Sequence, residues 1–344
     1  MKARHLLYGS NMSKQSDWLV LRRILTAHID AYFIERRNDP PAFNLYALVD
    51  AGQIPESLRQ QIAEVKHEKL FSNTKEYKIE KYGPYLLPLE CDATSEQFPI
   101  PELLNTMQYG WTVSWLTSKL DLKELAAHLA CHLNGELEDG RKTLIRYYDP
   151  RVLAPFLEHI DSQTRSSIVS PIGKWTYWDR SLDLQTISGP GKTSVSENLC
   201  TQIKACTRKA MALASAPDLI MSKLLSDSDA REMYPWLPHT LYQTIFTLAR
   251  KARQFGLEDL ADVHLFVSLA FTVHPDFHLK LAVFLEKQKT IFDGTHTFLD
   301  LVSEISDEEW NDVSEAGTDL RNNMRRIAYQ KLIHAKTKGA GNGI

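Results

Sequence analysis

Long apolar runs, a strong excess of one charge and closely spaced cysteines are all missing from this sequence of 344 residues. No apolar segment approaches the ~20 residues that a helix needs to cross a bilayer, so we expect no membrane insertion. The formal net charge of −3 argues against a nucleic-acid partner, because such proteins carry a clear basic excess. These absences leave a globular protein that is long enough for two domains.

Cysteine is scarce, and the four residues, Cys91, Cys131, Cys200 and Cys206, include no C-x-x-C pair. In a chain of this length, such scatter is typical of reduced thiols rather than of a disulfide framework. The N-terminal stretch MKARHLLYGSNMSK has a basic start but only three consecutive apolar residues, so we expect no secretory signal. Both features predict a cytoplasmic location.

Short apolar runs alternate with helical patterns between residues 44 and 160. Strands are predicted at 44–52, 83–89, 110–118 and 143–148, and helices at 55–65, 101–107, 121–133 and 150–160. A preceding helix is predicted from about residue 17. This order predicts an α/β N-terminal lobe in which helices flank a mixed or parallel sheet.

The pattern changes after residue 181, which we take as the end of a first domain, 1–181. Residues 182–232 are rich in small and polar residues and are expected to connect two domains. From 233 to 335 apolar residues recur with the period of a helix, which predicts an all-α C-terminal lobe. The last residues, 336–344, are expected to be a disordered tail.

The segment TISGPGKTS ends like a phosphate-binding P-loop. Gly191, Lys192 and Thr193 match the last three positions of that motif, whose backbone amides cradle phosphate. Thr186 stands where the leading glycine belongs, and Pro190 removes an amide beside the cradle. A flexible turn is therefore the favoured interpretation, and a P-loop-like nucleotide-binding enzyme is the alternative.

His128 and His132 lie four residues apart on a predicted helix, the spacing of a two-histidine metal site. Leu129 occupies the place of the glutamate that a zinc protease needs, and Cys131 falls on another side of the helix. The sequence also lacks a Gly-x-Ser-x-Gly elbow and a dinucleotide-binding glycine pattern. We therefore predict no metal ligands, no cofactor and no catalytic residues.

Four charged residues, Asp50, Arg146, Asp149 and Arg151, fall at predicted strand ends and could converge. Asp149 precedes Pro150, which suits the first helical position, so its carboxylate is expected to cap a helix. A catalytic or anion-binding site and a structural ion-pair cluster are both open. The structural cluster is favoured, because no nucleophile or base accompanies the four residues.

Six ordered blocks resemble the family of type VI secretion adaptor proteins, which are also called effector chaperones. The blocks are NLYALVDAG, KLF, GPYLLPL, GWTVSWLTS, LKELAAHL and RYYDPRVL. The resemblance is strong over about residues 44–180 and looser beyond. The positions that match the family motif are Tyr46, Asp50, Gly83, Pro84, Gly110, Trp111, Arg146, Tyr148, Asp149, Pro150 and Arg151.

The resemblance implies an interaction protein rather than an enzyme, with an α/β N-terminal part and a helical C-terminal part. Members of this family hold a toxic effector in the cytoplasm of a Gram-negative bacterium and load it onto the spike protein VgrG. The implied partners are therefore a secreted effector and VgrG, with no nucleic acid. Which motif residues touch a partner, and which lobe contacts VgrG, stay open.

A chaperone of this kind must offer apolar surface to its cargo. The C-terminal lobe concentrates aromatic residues around Pro275, and it is small enough that not all of them need be buried. We therefore expect the effector to dock mainly on this lobe, although any single one of these side chains could fill the core instead. The candidate effector contacts are Phe266, Phe271, Phe277, Leu281 and Phe284.

Overall fold

A computed structural model of the protein describes residues 12–37, 43–72, 74–90, 94–193, 201–226 and 236–340. The chain divides into two compact units. The first unit is Trp18–Ser215, and the second consists of Met1–Asp17 and Ala216–Ile344. Each unit is described below by itself.

The α/β part of the chain alternates strands with helices, as the sequence pattern predicts. In chain order its elements are α1 (Met12–Arg37), β1 (Asn44–Asp50), α2 (Glu56–Ala63), β2 (Glu68–Lys69), a 3₁₀ segment (Tyr77–Tyr82), β3 (Pro84–Leu89), α3 (Ile100–Thr106), β4 (Val113–Ser118), α4 (Leu122–Cys131), β5 (Asn134–Leu137), β6 (Lys142–Leu144), α5 (Pro150–His159), α6 (Ser162–Val169), β7 (Ile172–Trp178), β8 (Leu184–Ser188), β9 (Thr201–Ile203) and α7 (Ala205–Leu224).

The strands form two sheets. The larger sheet has the order β2-β3-β1-β4-β7-β8, and its neighbouring strands are antiparallel. The smaller sheet has the order β6-β5-β9, in which β5 pairs antiparallel with β6 and parallel with β9. The predicted fold class, a mixed sheet with flanking helices followed by helices alone, is confirmed. Parallel pairing among the described strands is confined to β5 and β9.

The central strands β1 and β4 are buried on both faces of the large sheet. β1 is buried from Leu45 to Asp50 and β4 along its whole length. One face packs against α4, α5 and α6, in a core that includes Leu48, Leu116 and Trp175. The apolar run 45–49 of β1 is typical of a strand buried on two sides, whereas β4 also buries serine and threonine.

The strand predicted at 143–148 is shorter and lies in the smaller sheet. It ends at Leu144, and the amide of Ile145 instead donates to the carbonyl of Leu133 at 2.7 Å. Tyr147 and Tyr148 are both buried, although they are adjacent. A strand would point two adjacent side chains to opposite faces of its sheet, whereas both rings lie in the same core, so the backbone leaves the strand conformation here.

The segment expected to connect two domains, 182–232, carries β8, β9 and α7 in its described part. β8 extends the large sheet by pairing with β7, and β9 completes the small sheet. These strands are short and largely polar, which is why the sequence pattern does not reveal them. Residues 194–200 and 227–235 of that segment lie outside the described residues.

The second unit is helical in its described part, with α8 (Pro238–Gln254), α9 (Leu260–Thr272), a 3₁₀ turn (Phe277–Leu279), α10 (Ala282–Phe292), α11 (Phe298–Ser303) and α12 (Asp307–Ala340). The predicted stripe on α8 is buried, including Leu241, Ile245 and Leu248. The expected tail at 336–344 overlaps the end of α12, and residues 341–344 lie outside the described range. None of the described helices is both long enough and apolar enough to cross a membrane.

Candidate functional site

The charged residues singled out in the sequence meet where β1 ends and α5 begins. Nη2 of Arg146 lies 3.1 Å from Oδ2 of Asp50 and 3.4 Å from Oδ2 of Asp149. Both carboxylates are buried, whereas the side chain of Arg146 is 46% exposed. One guanidinium therefore bridges two buried acids. We call the full set the corner cluster: Asp50, Gln53, Trp111, Arg146, Asp149 and Arg151.

Asp149 is held by a two-pronged contact with Arg151. Nε of Arg151 donates to Oδ1 at 3.0 Å, and its Nη2 donates to Oδ2 at 2.7 Å. Oδ1 also accepts from the amide of Arg151 at 3.0 Å, so Asp149 caps α5, as predicted, with Pro150 in the first turn. The guanidinium of Arg151 lies 5.6 Å from the ring of Trp111, a cation–π contact.

Gln53, which the sequence pattern does not single out, connects Asp50 to Arg151, the partner of Asp149. Its Nε2 donates to Oδ2 of Asp50 at 2.8 Å and to the carbonyl of Trp111 at 2.9 Å. Its Oε1 accepts from Nη2 of Arg151 at 3.4 Å. The only indication of this role in the sequence is that Gln53 follows Asp50 by three residues. In the structure, its backbone amide donates to the Asp50 carbonyl at 3.0 Å and closes a turn.

Burial has the largest effect on the pKa values in the corner cluster, and neighbouring charges have the second largest. Burial raises the pKa of Asp50, and the nearby Asp149 carboxylate raises it further, while Arg146 and Gln53 offset part of that increase. Burial lowers the pKa of Arg146, but the two carboxylates outweigh it and the net shift is upward. Burial and Asp50 raise the pKa of Tyr148 to about 12. Arg146 therefore stays charged and Tyr148 stays protonated at neutral pH.

The corner cluster is closed as a chemical site. Each of the four carboxylate oxygens accepts at least one hydrogen bond from within the protein. Two acids are paired with two guanidiniums, so neither carboxylate is free of a hydrogen-bond partner. A general base must be able to reach the proton that it abstracts. The arrangement is that of a framework that joins β1 to α5, with the outer edge of Arg146 as its exposed part.

The remaining motif residues surround this cluster at different distances. Pro84 pairs with Asp50 in the sheet, and the carbonyl of Gly83 accepts from Ala51. The ring of Tyr148 packs edge-on against Phe71 at 6.1 Å. Tyr46 lies at the other end of β1, where its hydroxyl donates to the Leu120 carbonyl.

Gly110 lies beside the corner cluster. A Cβ at this position would be 3.1 Å from Oε1 of Gln53, so the absence of a side chain leaves space for that amide. Trp111 follows it, and its ring nitrogen donates to the carbonyl of Asp179 at 2.8 Å. The Gly-Trp pair of the motif therefore ties Gln53 to the end of β7.

His128 and His132 pack against each other inside the first unit, with ring centroids 5.0 Å apart. Nε2 of His128 lies 3.0 Å from the carbonyl of Ile168, and both ring nitrogens of His132 are buried without a partner. Burial and the neighbouring His128 lower the pKa of His132 to about 4. In the described part of the chain, no cluster of three or more possible metal ligands occurs.

The segment that resembles the end of a P-loop uses its amides within the protein. The amides of Gly189 and Gly191 donate to backbone carbonyls at the start of β7, at 3.0 and 3.1 Å, and the amide of Lys192 donates to the carbonyl of Ser170, just before β7, at 2.9 Å. A P-loop directs such amides at phosphate. The residues that follow, 194–200, lie outside the described range. This geometry favours the turn interpretation of the segment.

The candidate effector contacts require a correction, because all five side chains are buried. Phe266, Phe277 and Phe284 have no exposed surface, and Phe271 and Leu281 are nearly as buried. The rings of Phe266 and Phe277 are 4.9 Å apart, and both pack around Phe298. Mutual aromatic packing at the centre of the helical unit removes these residues from the surface.

Two of the four cysteines lie within the described residues. Cys131 and Cys206 are free cysteines. Cys91 and Cys200 lie outside the described residues.

A protein-family model described as "Domain of unknown function (DUF4123)" matches residues 45–167. No curated protein and no solved structure matches the chain. The matched range contains every residue of the corner cluster and the block RYYDPRVL, and it excludes the helical unit. The similarity therefore concerns the part of the first unit that is built around the corner cluster.

Proposed function

We propose that this protein is a cytoplasmic adaptor that binds a type VI secretion effector and loads it onto the VgrG spike protein. The observation that carries the proposal is the family-model match over residues 45–167. That family corresponds to the adaptors which the ordered sequence blocks resemble. The closed corner cluster supports a scaffold role, since its ionisable groups are engaged with one another.

Co-expression tests this function. The chain would be produced with the toxin and the VgrG encoded nearest to its own gene, and the complexes separated by size-exclusion chromatography. We expect the adaptor to co-elute with the toxin, and VgrG to join them. If VgrG takes up the toxin equally well in the absence of this chain, the proposed function is wrong.

The competing hypothesis is nucleotide binding at Gly191, Lys192 and Thr193. The engaged amides of that segment weigh against it. Calorimetric titration of the full chain with MgATP would decide between the two. We expect no saturable heat; saturable binding that disappears in the Lys192→Ala variant would favour the nucleotide enzyme instead.

A further inference from the structure

The 3₁₀ segment YKIEKY of the first unit buries none of its residues. Tyr77, Ile79 and Tyr82 are 55%, 50% and 36% exposed. Single exposed apolar residues are ordinary, but three within six residues concentrate apolar surface, and concentrated apolar surface marks interaction sites. We call Tyr77, Lys78, Ile79, Lys81 and Tyr82 the YKIEKY surface.

This surface is held in place by polar contacts rather than by apolar burial. The carboxylate of Glu80 accepts from Oγ of Ser72 at 2.9 Å and from Nζ of Lys69 at 3.2 Å. The carbonyl of Lys81 accepts from the hydroxyl of Tyr85 at 3.1 Å. A fixed segment loses little conformational entropy when a partner binds, so its aromatic side chains are pre-organised for contact.

The two lysines of the surface lie against its tyrosines instead of against acids. Nζ of Lys78 is 5.9 Å from the ring centroid of Tyr77, and Nζ of Lys81 is 4.8 Å from that of Tyr82. Among the described residues, neither lysine has a carboxylate within ion-pair distance, whereas the neighbouring Lys69 does. Arg59 and, to a smaller extent, Lys81 lower the pKa of the nearby Glu56, but that carboxylate is paired with Arg59. The surface therefore keeps positive charge that an acidic partner would complement.

The surface is continuous with the corner of the unit that the family model covers. The guanidinium of Arg59 lies 5.1 Å from the ring of Tyr82 and donates to the carbonyls of Ala51 and Ile54. The segment ends at Gly83, whose carbonyl accepts from Ala51 beside Asp50. A partner on the YKIEKY surface would thus rest on the rigid framework of the corner cluster.

We propose that the YKIEKY surface docks an acidic, partly apolar segment of a protein partner. Carboxylates of that segment approach Lys78 and Lys81, and an apolar side chain covers Ile79 between the two tyrosines. Tyrosine is enriched among the residues that dominate interface energies. Two lysines without an ion-pair partner among the described residues suit a protein segment better than a nucleic acid, which needs many phosphate contacts. The proposal rests on the proposed function only for the identity of the partner, the effector or VgrG.

Substitutions in the full chain test the proposal. Lys78→Glu/Lys81→Glu reverses the charge of the surface, and Tyr77→Ala/Tyr82→Ala removes its aromatic rings. The control is Lys204→Glu/Lys209→Glu, which changes the net charge by the same amount at two exposed positions outside the surface. None of the substituted residues is buried, so all three variants should fold. The melting temperature checks this, and only Tyr77→Ala/Tyr82→Ala should show a small decrease, because the ring of Tyr82 packs against Arg59. We expect the first two to weaken binding of the effector or of VgrG by ~10-fold or more, and the control to leave it unchanged.

A partner-independent probe separates the two proposals. A fluorescein-labelled peptide of alternating glutamate and leucine should bind the wild type more tightly than the Lys78→Glu/Lys81→Glu variant, and its glutamine–leucine counterpart should show no such difference. If neither VgrG nor the effector binds the wild type but this peptide result holds, the proposed function fails and the docking surface stands. Equal peptide binding by wild type and variant overturns the docking surface, as does tighter binding of labelled single-stranded DNA through the same lysines.

Discussion

Nη2 of Arg146 lies 3.1 Å from Oδ2 of Asp50, across 96 positions of the sequence. The same nitrogen is 3.4 Å from Oδ2 of Asp149, so one guanidinium fastens the end of β1 to the start of α5. Taking two carboxylates out of water is costly unless their donors are all present. The corner cluster therefore stabilises the unit as a complete set, and removal of one member should leave the others uncompensated.

Asp149→Asn tests that interdependence. Asparagine keeps the shape of the side chain and one oxygen that can cap α5. It leaves Asp50 as the only carboxylate of the corner cluster beside Arg146 and Arg151. We expect the free energy of unfolding to fall by about 3 kcal/mol, the lower end for a broken buried pair because Arg146 is half exposed. Urea denaturation at pH 7, followed by tryptophan fluorescence, measures it. Asp139→Asn, which removes an exposed pair with Arg141, should change nothing, and an equal loss in both variants would refute the prediction.

Local features of this chain were predictable because they depend on neighbouring residues. Asp149 followed by Pro150 predicts a helix start, and α5 begins there. The helix predicted at 121–133 is α4, which begins at Leu122 with Asp121 and Glu124 forming a capping box. In both cases the signal is a side chain that satisfies amides within three residues of itself.

Long-range features could not be predicted in the same way. The antiparallel pairing of β1 with β3 and β4 depends on how distant strands meet, which alternation along the chain does not specify. The role of Gln53 depends on Arg151, 98 positions away. The burial of Phe277 depends on helices that surround it on several sides. A periodic pattern shows which face of a helix is apolar, but not whether another element covers it.

Gly83→Ala tests the close approach of the Gly83 backbone to the ring of Phe71. The backbone of Gly83 has an ordinary φ of −78°, so the constraint is steric rather than conformational. A Cβ here would lie 2.4 Å from Cδ2 of the buried Phe71. We expect a destabilisation of roughly 1–3 kcal/mol from overpacking, measured by thermal and urea unfolding. Adding Phe71→Leu should recover part of that loss, and strictly additive effects of the two changes would contradict the steric explanation.

The histidine pair predicts a pH dependence of stability. The pKa of His132 is lowered from 6.5 to about 4 by burial and by His128, so the folded state binds fewer protons than the unfolded state between those values. The free energy of unfolding should therefore fall as the pH is lowered from about 6.5 towards 4, by on the order of 3 kcal/mol. Unfolding by urea at pH 7.5, 6, 5 and 4 measures this.

His132→Leu isolates that contribution. Both ring nitrogens of His132 lack a partner, so leucine removes a buried polar group and should leave stability at pH 7.5 unchanged or higher. The pKa of Asp50 is raised by burial, which makes its own contribution fall as pH rises, but this dependence is common to both proteins and cancels in their difference. A difference between the two proteins that does not grow at acidic pH would refute the assignment to His132.

Phe277→Ala distinguishes a core role from a contact role in the helical unit. Phe277 has no exposed surface and packs against Phe266, Phe284 and Trp310. We expect its truncation to destabilise the unit by ~3–5 kcal/mol, seen as an earlier unfolding transition by circular dichroism. A variant that keeps wild-type stability but loses the effector would restore Phe277 as a contact residue.

If the helical unit does contact the effector, as the sequence suggested, the contact must use residues other than the buried aromatic rings. Leu279 and Leu285 are 58% and 61% exposed and line one groove together with Phe255. Leu279→Ser/Leu285→Ser should leave stability within about 0.5 kcal/mol of the wild type, because both side chains already face solvent. The same variant should bind the effector ~10-fold more weakly in calorimetric titration, since burial of exposed leucine side chains would drive docking. Leu299→Ser, at an equally exposed leucine that does not line this groove, is the matched control. Wild-type affinity in the double variant would show that the effector binds elsewhere, because the folded helical unit would then have lost this apolar surface without losing its cargo.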